Sequence, residues 1–194
     1  MTVKQMESRL DHPCPQCYSK ENLKMLTFSS EIPYFGEHTQ ISIVCESCGW
    51  KHTDFIPSDG EKPGLWRLQI DDKEKMSARV IRSSSCTIRI ETLELEVSPG
   101  SSSSGYVSNI EGVLNRFIDA ISIVMKEDDA NISTTANNLI RTLESAKDGC
   151  GALNIVLLDP KGRSQIIHKD VISRELTEDE GRSLQTGFEI PVLE

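Results

Sequence analysis

The residues best suited to chemistry are two cysteine pairs, Cys14-Pro15-Gln16-Cys17 and Cys45-Glu46-Ser47-Cys48, with 27 residues between Cys17 and Cys45. A two-residue spacer lets a tight turn aim both thiolates at one point. Two such knuckles can then share a tetrahedral ion with zinc–sulfur bonds of ~2.3 Å. Gly49, just after the second knuckle, can take the positive φ that such a turn often requires. Four thiolates leave no coordination position for water or substrate, so the expected ion is one structural zinc. Its binding energy, on the order of 10 kcal/mol, would be coupled to folding of the segment that holds it.

Other cysteine chemistries fit less well. Structural disulfides belong to oxidising compartments, and a redox Cys-x2-Cys normally occurs once, at the start of a helix. His12, His38 and His52 lie near the knuckles and could replace a ligand, but four cysteines already suffice. Cys86 and Cys150 stand alone and are expected to be buried as small hydrophobes.

Strands must hold the knuckles together. Leu23 to Ser29 and Thr39 to Cys45 have strand patterning, with Ile41, Ile43 and Cys45 on one face of the second. This is the layout of a zinc ribbon. Pro57-Ser58-Asp59-Gly60-Glu61-Lys62-Pro63-Gly64 has the composition of a joint, which divides the chain into a ribbon at 1–57 and a second domain at 58–194.

In the second domain, Leu65 to Ile70, Ser77 to Arg82 and Cys86 to Val97 read as strands. The apolar face of the last one slips by a residue at Glu91-Thr92, which predicts a β-bulge. Ser98 to Gly105 has nothing large and apolar to bury and is expected to be a mobile connector. Ser108-Asn109-Ile110-Glu111 has capping-box form. After it, Ile110, Val113, Leu114, Phe117, Ile118, Ile121, Val124 and Met125 make a helical stripe. A second stripe, from Ile132 to Ala146, completes a helical hairpin at about 108–148. Strands resume at Ala152 to Leu158, turn through Asp159-Pro160-Lys161-Gly162, and return along Ser164 to His168. Phe188 to Leu193 reads as a last strand, placed at an edge by Pro191.

Composition narrows the function classes. Of 194 residues 37% are apolar, no long uncharged apolar run is present, and no signal-peptide pattern opens the chain, so a soluble cytoplasmic protein is expected. The net charge is -9, and residues 1–57 carry five Lys/Arg against seven Asp/Glu, which disfavours a nucleic-acid-binding ribbon. Arg79, Arg82 and Arg89 would have to gather on one β surface to reverse that.

These motifs together resemble the ZPR-type zinc finger proteins. The resemblance spans roughly Cys14 to Ser164 and rests on the two knuckles, Glu31-Ile32-Pro33-Tyr34-Phe35-Gly36, Val80-Ile81-Arg82-Ser83-Ser84-Ser85, Leu93-Glu94-Leu95-Glu96, Val107 to Leu114, and Leu158-Asp159-Pro160-x-Gly162-x-Ser164. The chain departs from the family pattern at Ile90-Glu91-Thr92-Leu93, where the family usually has Ile-Pro-Glu-Leu, and at Arg163, often Asn. One module is present, as in archaeal members. The resemblance implies a mainly β protein with an α insertion: a zinc ribbon followed by a double-stranded β-helix, or jelly roll, carrying the helical hairpin.

It also implies a function. Eukaryotic members are described as folding chaperones for the GTP-binding elongation factor that delivers aminoacyl-tRNA, which makes a protein partner the first expectation. Ile32, Pro33, Tyr34 and Phe35, with Arg82 and Ser83, are the candidate partner contacts, although Tyr34 and Phe35 could instead seal the ribbon against the second domain. Catalysis is not expected. His168-Lys169-Asp170 supplies a His-x-Asp of the kind that holds iron or manganese in jelly rolls, but no further histidine lies in that domain to complete a triad. Neither a G-x-S-x-G elbow nor a phosphate-binding G-x4-G-K loop occurs.

Overall fold

The computed structural model describes residues 4–32, 36–58, 62–125 and 130–187. Its first part is an antiparallel meander of β1 (Lys4–Leu10), β2 (Leu23–Ile32), β3 (Gly36–Cys45) and β4 (Lys51–Pro57), neighbours in that order. Register pairs Leu10 with Leu23 and Leu23 with Cys45, so the apolar residues collect at the knuckle end. Among the described residues, Leu10, Cys14, Leu23, Ile43 and Cys45 form the buried cluster there, with Met25 and Trp50 against it. Five side chains are too few to hold a sheet of this size by burial alone. In β1, Gln5 to Arg9 are all exposed, so the strand carries no alternation for a sequence pattern to reveal.

The second part is a sandwich built from β5 (Gly64–Ile70), β6 (Arg79–Arg82), β7 (Thr87–Ile90), β8 (Leu95–Val97), β9 (Tyr106–Asn109), β10 (Leu153–Asp159), β11 (Gln165–Ile167) and β12 (Ile172–Glu175). One sheet has the order β12-β5-β10-β7-β8 and the other β11-β6-β9, all antiparallel. The chain crosses between the sheets at nearly every connection, which is jelly-roll winding. Between them lie Leu68, Ile70, Val80, Ile88, Ile90, Ile155, Leu157 and Ile166. Strand β10 is buried on both faces: Ile155 and Leu157 point inward, while Val156 and Leu158 pack outward with Leu65 under Leu176 and Leu184. Its nearly continuous apolar sequence follows from that position.

Two helices, α1 (Ile110–Val124) and α2 (Ala130–Lys147), pack together over one side of this core, and a short α3 (Glu178–Ser183) follows β12. Ile110, Val113, Leu114 and Phe117 of α1 and Leu143 and Ala146 of α2 complete the sandwich interior. The expected cap shifts by one residue. Asn109, not Ser108, accepts from Gly112 N at 2.8 Å, because β9 stays paired to β6 through Asn109 before the helix begins.

Three further expectations are corrected. Cys86 to Val97 is not one bulged strand; β7 and β8 form a hairpin around a 3-10 turn at Glu91–Leu93, with Glu94 at φ 53°. The apolar slip at Glu91-Thr92 marked a reversal of the chain. Strand β11 pairs with β6 in the opposite sheet and not with β10. The serine-rich segment is fastened: Thr53 N donates to Ser104 Oγ at 2.8 Å, Gly105 N to Thr53 O at 2.6 Å, and Arg82 Nη1 to Ser103 Oγ at 2.7 Å. The strand expected at Phe188 to Leu193 lies outside the described residues.

Those bonds belong to a polar seam between the meander and the sandwich. Asp54 of β4, 1% exposed, accepts from Ser84 N at 3.0 Å, Ser84 Oγ at 2.8 Å and Arg163 Nη1 at 3.0 Å. Asp159, fully buried at the end of β10, accepts from Ser83 Oγ, Ser85 Oγ and Ser164 Oγ at 2.7, 2.8 and 2.6 Å and from Lys161 N and Arg163 N at 2.9 Å each. Removing one member of a buried ion pair strands the other, at about 3–5 kcal/mol. Asp54→Ala should therefore lower the unfolding free energy in urea by about that amount. Adding Arg163→Met should recover part of the loss, and an additive double mutant would show that the pair is not coupled.

Candidate metal centre

Both knuckles have the same backbone wiring. Cys14 N donates to Ser19 O at 2.9 Å and Tyr18 N to Cys14 O at 2.9 Å; Cys45 N donates to Trp50 O at 2.8 Å and Gly49 N to Cys45 O at 2.9 Å. Each loop closes with its fourth residue after the leading cysteine in the left-handed region, Gly49 at φ 75° and Tyr18 at φ 60°. Glycine adopts that conformation freely, whereas a tyrosine there costs about 1–2 kcal/mol. Tyr18 is also 76% exposed, so packing of its ring does not explain the position.

This wiring brings four sulfurs together. Cys14 Sγ lies 3.8 Å from Cys48 Sγ, Cys17 Sγ lies 3.6 Å from Cys45 Sγ, and all four fall within 4.8 Å of one another. The edge of a tetrahedron with ~2.3 Å zinc–sulfur bonds is about 3.8 Å, so the donor set fits one zinc. Burial would raise the Cys45 thiol, but N–H groups of Cys48 and Ser47 and the Cys14 and Cys17 thiols bring it down to about 6. The Trp50 backbone favours a Cys48 thiolate, yet burial and the three neighbouring thiols drive that group up to about 12. Four adjacent thiolates need a cation among them, and a divalent metal supplies it. With four protein ligands the ion would hold the fold and have no open position for chemistry.

The other sequence candidates fall elsewhere. His12 is exposed against Pro13 O, and His38 lies at the far end of β3, its Nδ1 3.2 Å from Gly36 O. His52 is buried beside the centre, where its ring stacks on Trp50 with centroids 6.0 Å apart and burial lowers its pKa. Among the described residues the four cysteines are the one group arranged to hold a metal. His168 and Asp170 are neighbours, 3.7 Å apart, but Lys75 Nζ approaches the same Asp170 oxygen at 3.5 Å. Cys86 is buried as expected, its thiol pushed up to about 12 by burial and the charge of Asp159, but Cys150 is exposed, which corrects its expected burial.

Partner-contact candidates are also redistributed. Ile32 pairs with Gly36 at the end of the β2–β3 hairpin opposite the cysteines; nine residues of strand place it about 30 Å from them. Pro33, Tyr34 and Phe35 lie outside the described residues. Arg82 and Ser83 are buried and engaged internally, Arg82 with Cys86 O and the 103–104 backbone and hydroxyl, Ser83 with Asp159, and they offer no surface to a partner. Arg79 and Arg82 belong to β6, whereas Arg89 is on β7 of the other sheet and paired with Glu96, so the three do not form one basic face. Sequence patterning did not single out Tyr18 and Asp54. The signal for Tyr18 was its position four residues after Cys14, matching Gly49 after Cys45.

The chain should bind one equivalent of zinc by elemental analysis, and Cys45→Ser/Cys48→Ser should bind none. Chelation should raise amide exchange across β1 to β4 far more than across β10. Uniform loss of protection would mean that the ion does not act on the meander specifically. Tyr18→Gly should retain zinc and gain about 1 kcal/mol from release of the left-handed penalty; a loss of stability would show that the ring has a packing role.

Comparison with known proteins follows the same division. The ZPR1 zinc-finger domain matches residues 7–59 and the ZPR1 jelly-roll domain residues 74–180. A ZPR1-like protein of Pyrococcus horikoshii is 36% identical over 178 residues, covering 90% of this chain and 80% of its own length. Another from Methanocaldococcus jannaschii is 33% identical over 183 residues, covering 94% and 91%. Zinc finger chaperone zpr1 of Schizosaccharomyces pombe is 29% identical over 161 residues, 79% of this chain but only 33% of the fungal protein. Paired cysteine knuckles on a four-stranded meander, joined to a jelly roll with a helical insertion, thus agree with sequence similarity over most of the chain: the protein belongs to the ZPR1 zinc-finger family.

Proposed function

We propose that this protein is a zinc-stabilised adaptor or folding chaperone that engages the GTP-binding elongation factor delivering aminoacyl-tRNA. The observation that carries the reading is the closed four-thiolate site, which suits a rigid binding module better than a catalyst. The seam through Asp54 and Arg163 supports it, since it ties that module to the jelly roll and lets both present one surface. The chaperone name of the fungal relative supports the class of activity. The elongation factor as partner comes from the family resemblance, and a cytoplasmic location accompanies that partner. Among the described residues no helix is long and apolar enough to cross a membrane.

In this reading Ile32, Pro33, Tyr34 and Phe35 form the contact at the hairpin end remote from the zinc. Aromatic anchors of this kind commonly contribute about 2 kcal/mol or more to binding. Immobilised zinc-loaded protein should retain the elongation factor from cell extract, and the Cys45→Ser/Cys48→Ser chain should not. Recovery of ribosomal proteins or RNA without the factor, or of nothing, would overturn the partner. A folded, zinc-replete Tyr34→Ala/Phe35→Ala variant should bind the purified factor at least tenfold more weakly, and unchanged affinity would remove this loop from the interface.

A further inference from the structure

Tyr18 is an outlier that the fold does not account for. Its φ of 60° lies in a region that L side chains rarely adopt, and the second knuckle meets the same backbone demand with Gly49. Nothing in the packing offsets that strain. The ring is 76% exposed, and among the described residues its hydroxyl has no hydrogen-bond partner and its faces carry no ring or cation contact. A backbone outlier of this kind, left without a packing reason, points to a function for the side chain.

The surroundings narrow that function. Tyr18 follows Cys17 directly, and Cys17 and Cys48 are the two exposed members of the four-cysteine site. Ser47 Oγ donates to Ser19 Oγ at 3.3 Å, so the two knuckle loops form one surface around these side chains. Within residues 14–19 and 45–50 the one charged side chain is Glu46, which is paired to Lys24 at 2.7 Å. Lys20 and Lys51 flank the loops in sequence and are balanced by Asp11 and Glu21. Four thiolates around a divalent ion leave two negative charges, so with zinc bound this end of the meander presents negative sulfur beside an uncovered aromatic face.

A guanidinium suits both features at once. Its plane stacks on a tyrosine ring, and its N–H edge donates to an anionic acceptor. The chain already uses the stacking half elsewhere, where Arg116 lies 4.0 Å and Arg82 5.9 Å from the centroid of the Tyr106 ring. An ammonium is a compact, strongly hydrated charge and stacks less well. A nucleic-acid backbone would bring like charge to the sulfurs.

We propose that Tyr18, with the exposed sulfurs of Cys17 and Cys48, forms a docking surface for an arginine-bearing segment of a protein partner. The surface lies at the opposite end of the β2–β3 hairpin from residues 32–36, and its chemistry does not depend on which protein supplies the arginine.

The test titrates the zinc-loaded full chain with short peptides in which glycine alternates with arginine, lysine or glutamate, read by nuclear magnetic resonance. The arginine peptide should shift the Tyr18 ring protons and the amides of residues 47–49, the lysine peptide should bind more weakly, and the glutamate peptide should leave both unchanged. Tyr18→Phe should keep the affinity for the arginine peptide, and Tyr18→Gly should lower it at least threefold. No ring shift with the arginine peptide overturns the proposal, as do equal affinities of the arginine and lysine peptides or of the unmodified chain and Tyr18→Gly. A single-stranded RNA that shifts the ring more strongly than the arginine peptide also overturns it and assigns the surface to nucleic acid. Retained zinc and an unchanged exchange pattern across β1 to β4 in Tyr18→Gly separate loss of docking from loss of fold.

Discussion

A carboxylate removed from water must be met by donors on every side, and this protein buries two of them where its sheets converge. Asp54 closes β4 against Ser84 and Arg163, and Asp159 gathers Ser83, Ser85, Ser164 and two backbone amides. The donors come from residues 83–85 and 161–164, and one of the two acceptors lies on β4, so satisfying these acids fixes the loop after β6, the turn after β10 and the last strand of the meander at once. Apolar packing could tolerate a small slide between meander and sandwich, but a fully bonded buried carboxylate cannot. The run of three serines, unremarkable as composition, is best understood as a row of short donors sized for two acids.

The metal centre was legible because ligand spacing is a local property: two residues between cysteines settle a knuckle wherever the chain goes next. Long apolar periodicities were equally legible, and β5, β10 and both helices lie within a residue or two of where patterning puts them. What failed depended on partners. Strand β11 looks like the return of a hairpin, and only its pairing with β6, some 84 residues earlier by Gln165 and Ile81, shows that it belongs to the other sheet. The serine-rich segment looks like a linker because composition registers the lack of apolar side chains and not the Thr53 backbone and Arg82 guanidinium that hold it. The hairpin at Glu91 to Glu94 was hidden for the converse reason, since reversal and bulge both slip an alternation by one residue.

Proximity in sequence misleads at the proposed partner loop as well. Residues 32–36 precede Cys45 by a short interval, yet the strand between them carries the two ends apart. Zinc therefore cannot shape that loop through contact. Its influence passes along the ladder of β2 and β3, which the knuckles hold in register by pairing Leu23 with Cys45. In the proposed reading the stabilising and recognition residues occupy opposite ends of one hairpin, coupled through its strand register and not through contact.

The position of β10 has a consequence for synthesis. This strand is central, flanked by β5 and β7, but its residues follow both partners by more than sixty positions, with the whole helical pair between. On the ribosome the two flanking strands emerge first and wait with their inward edges open, while the helices, whose contacts are local, can form early. The sandwich closes only when residues 153–159 arrive to fill the gap. A member of a family that includes a chaperone thus spends part of its own birth with two unpaired strand edges exposed to every other nascent chain.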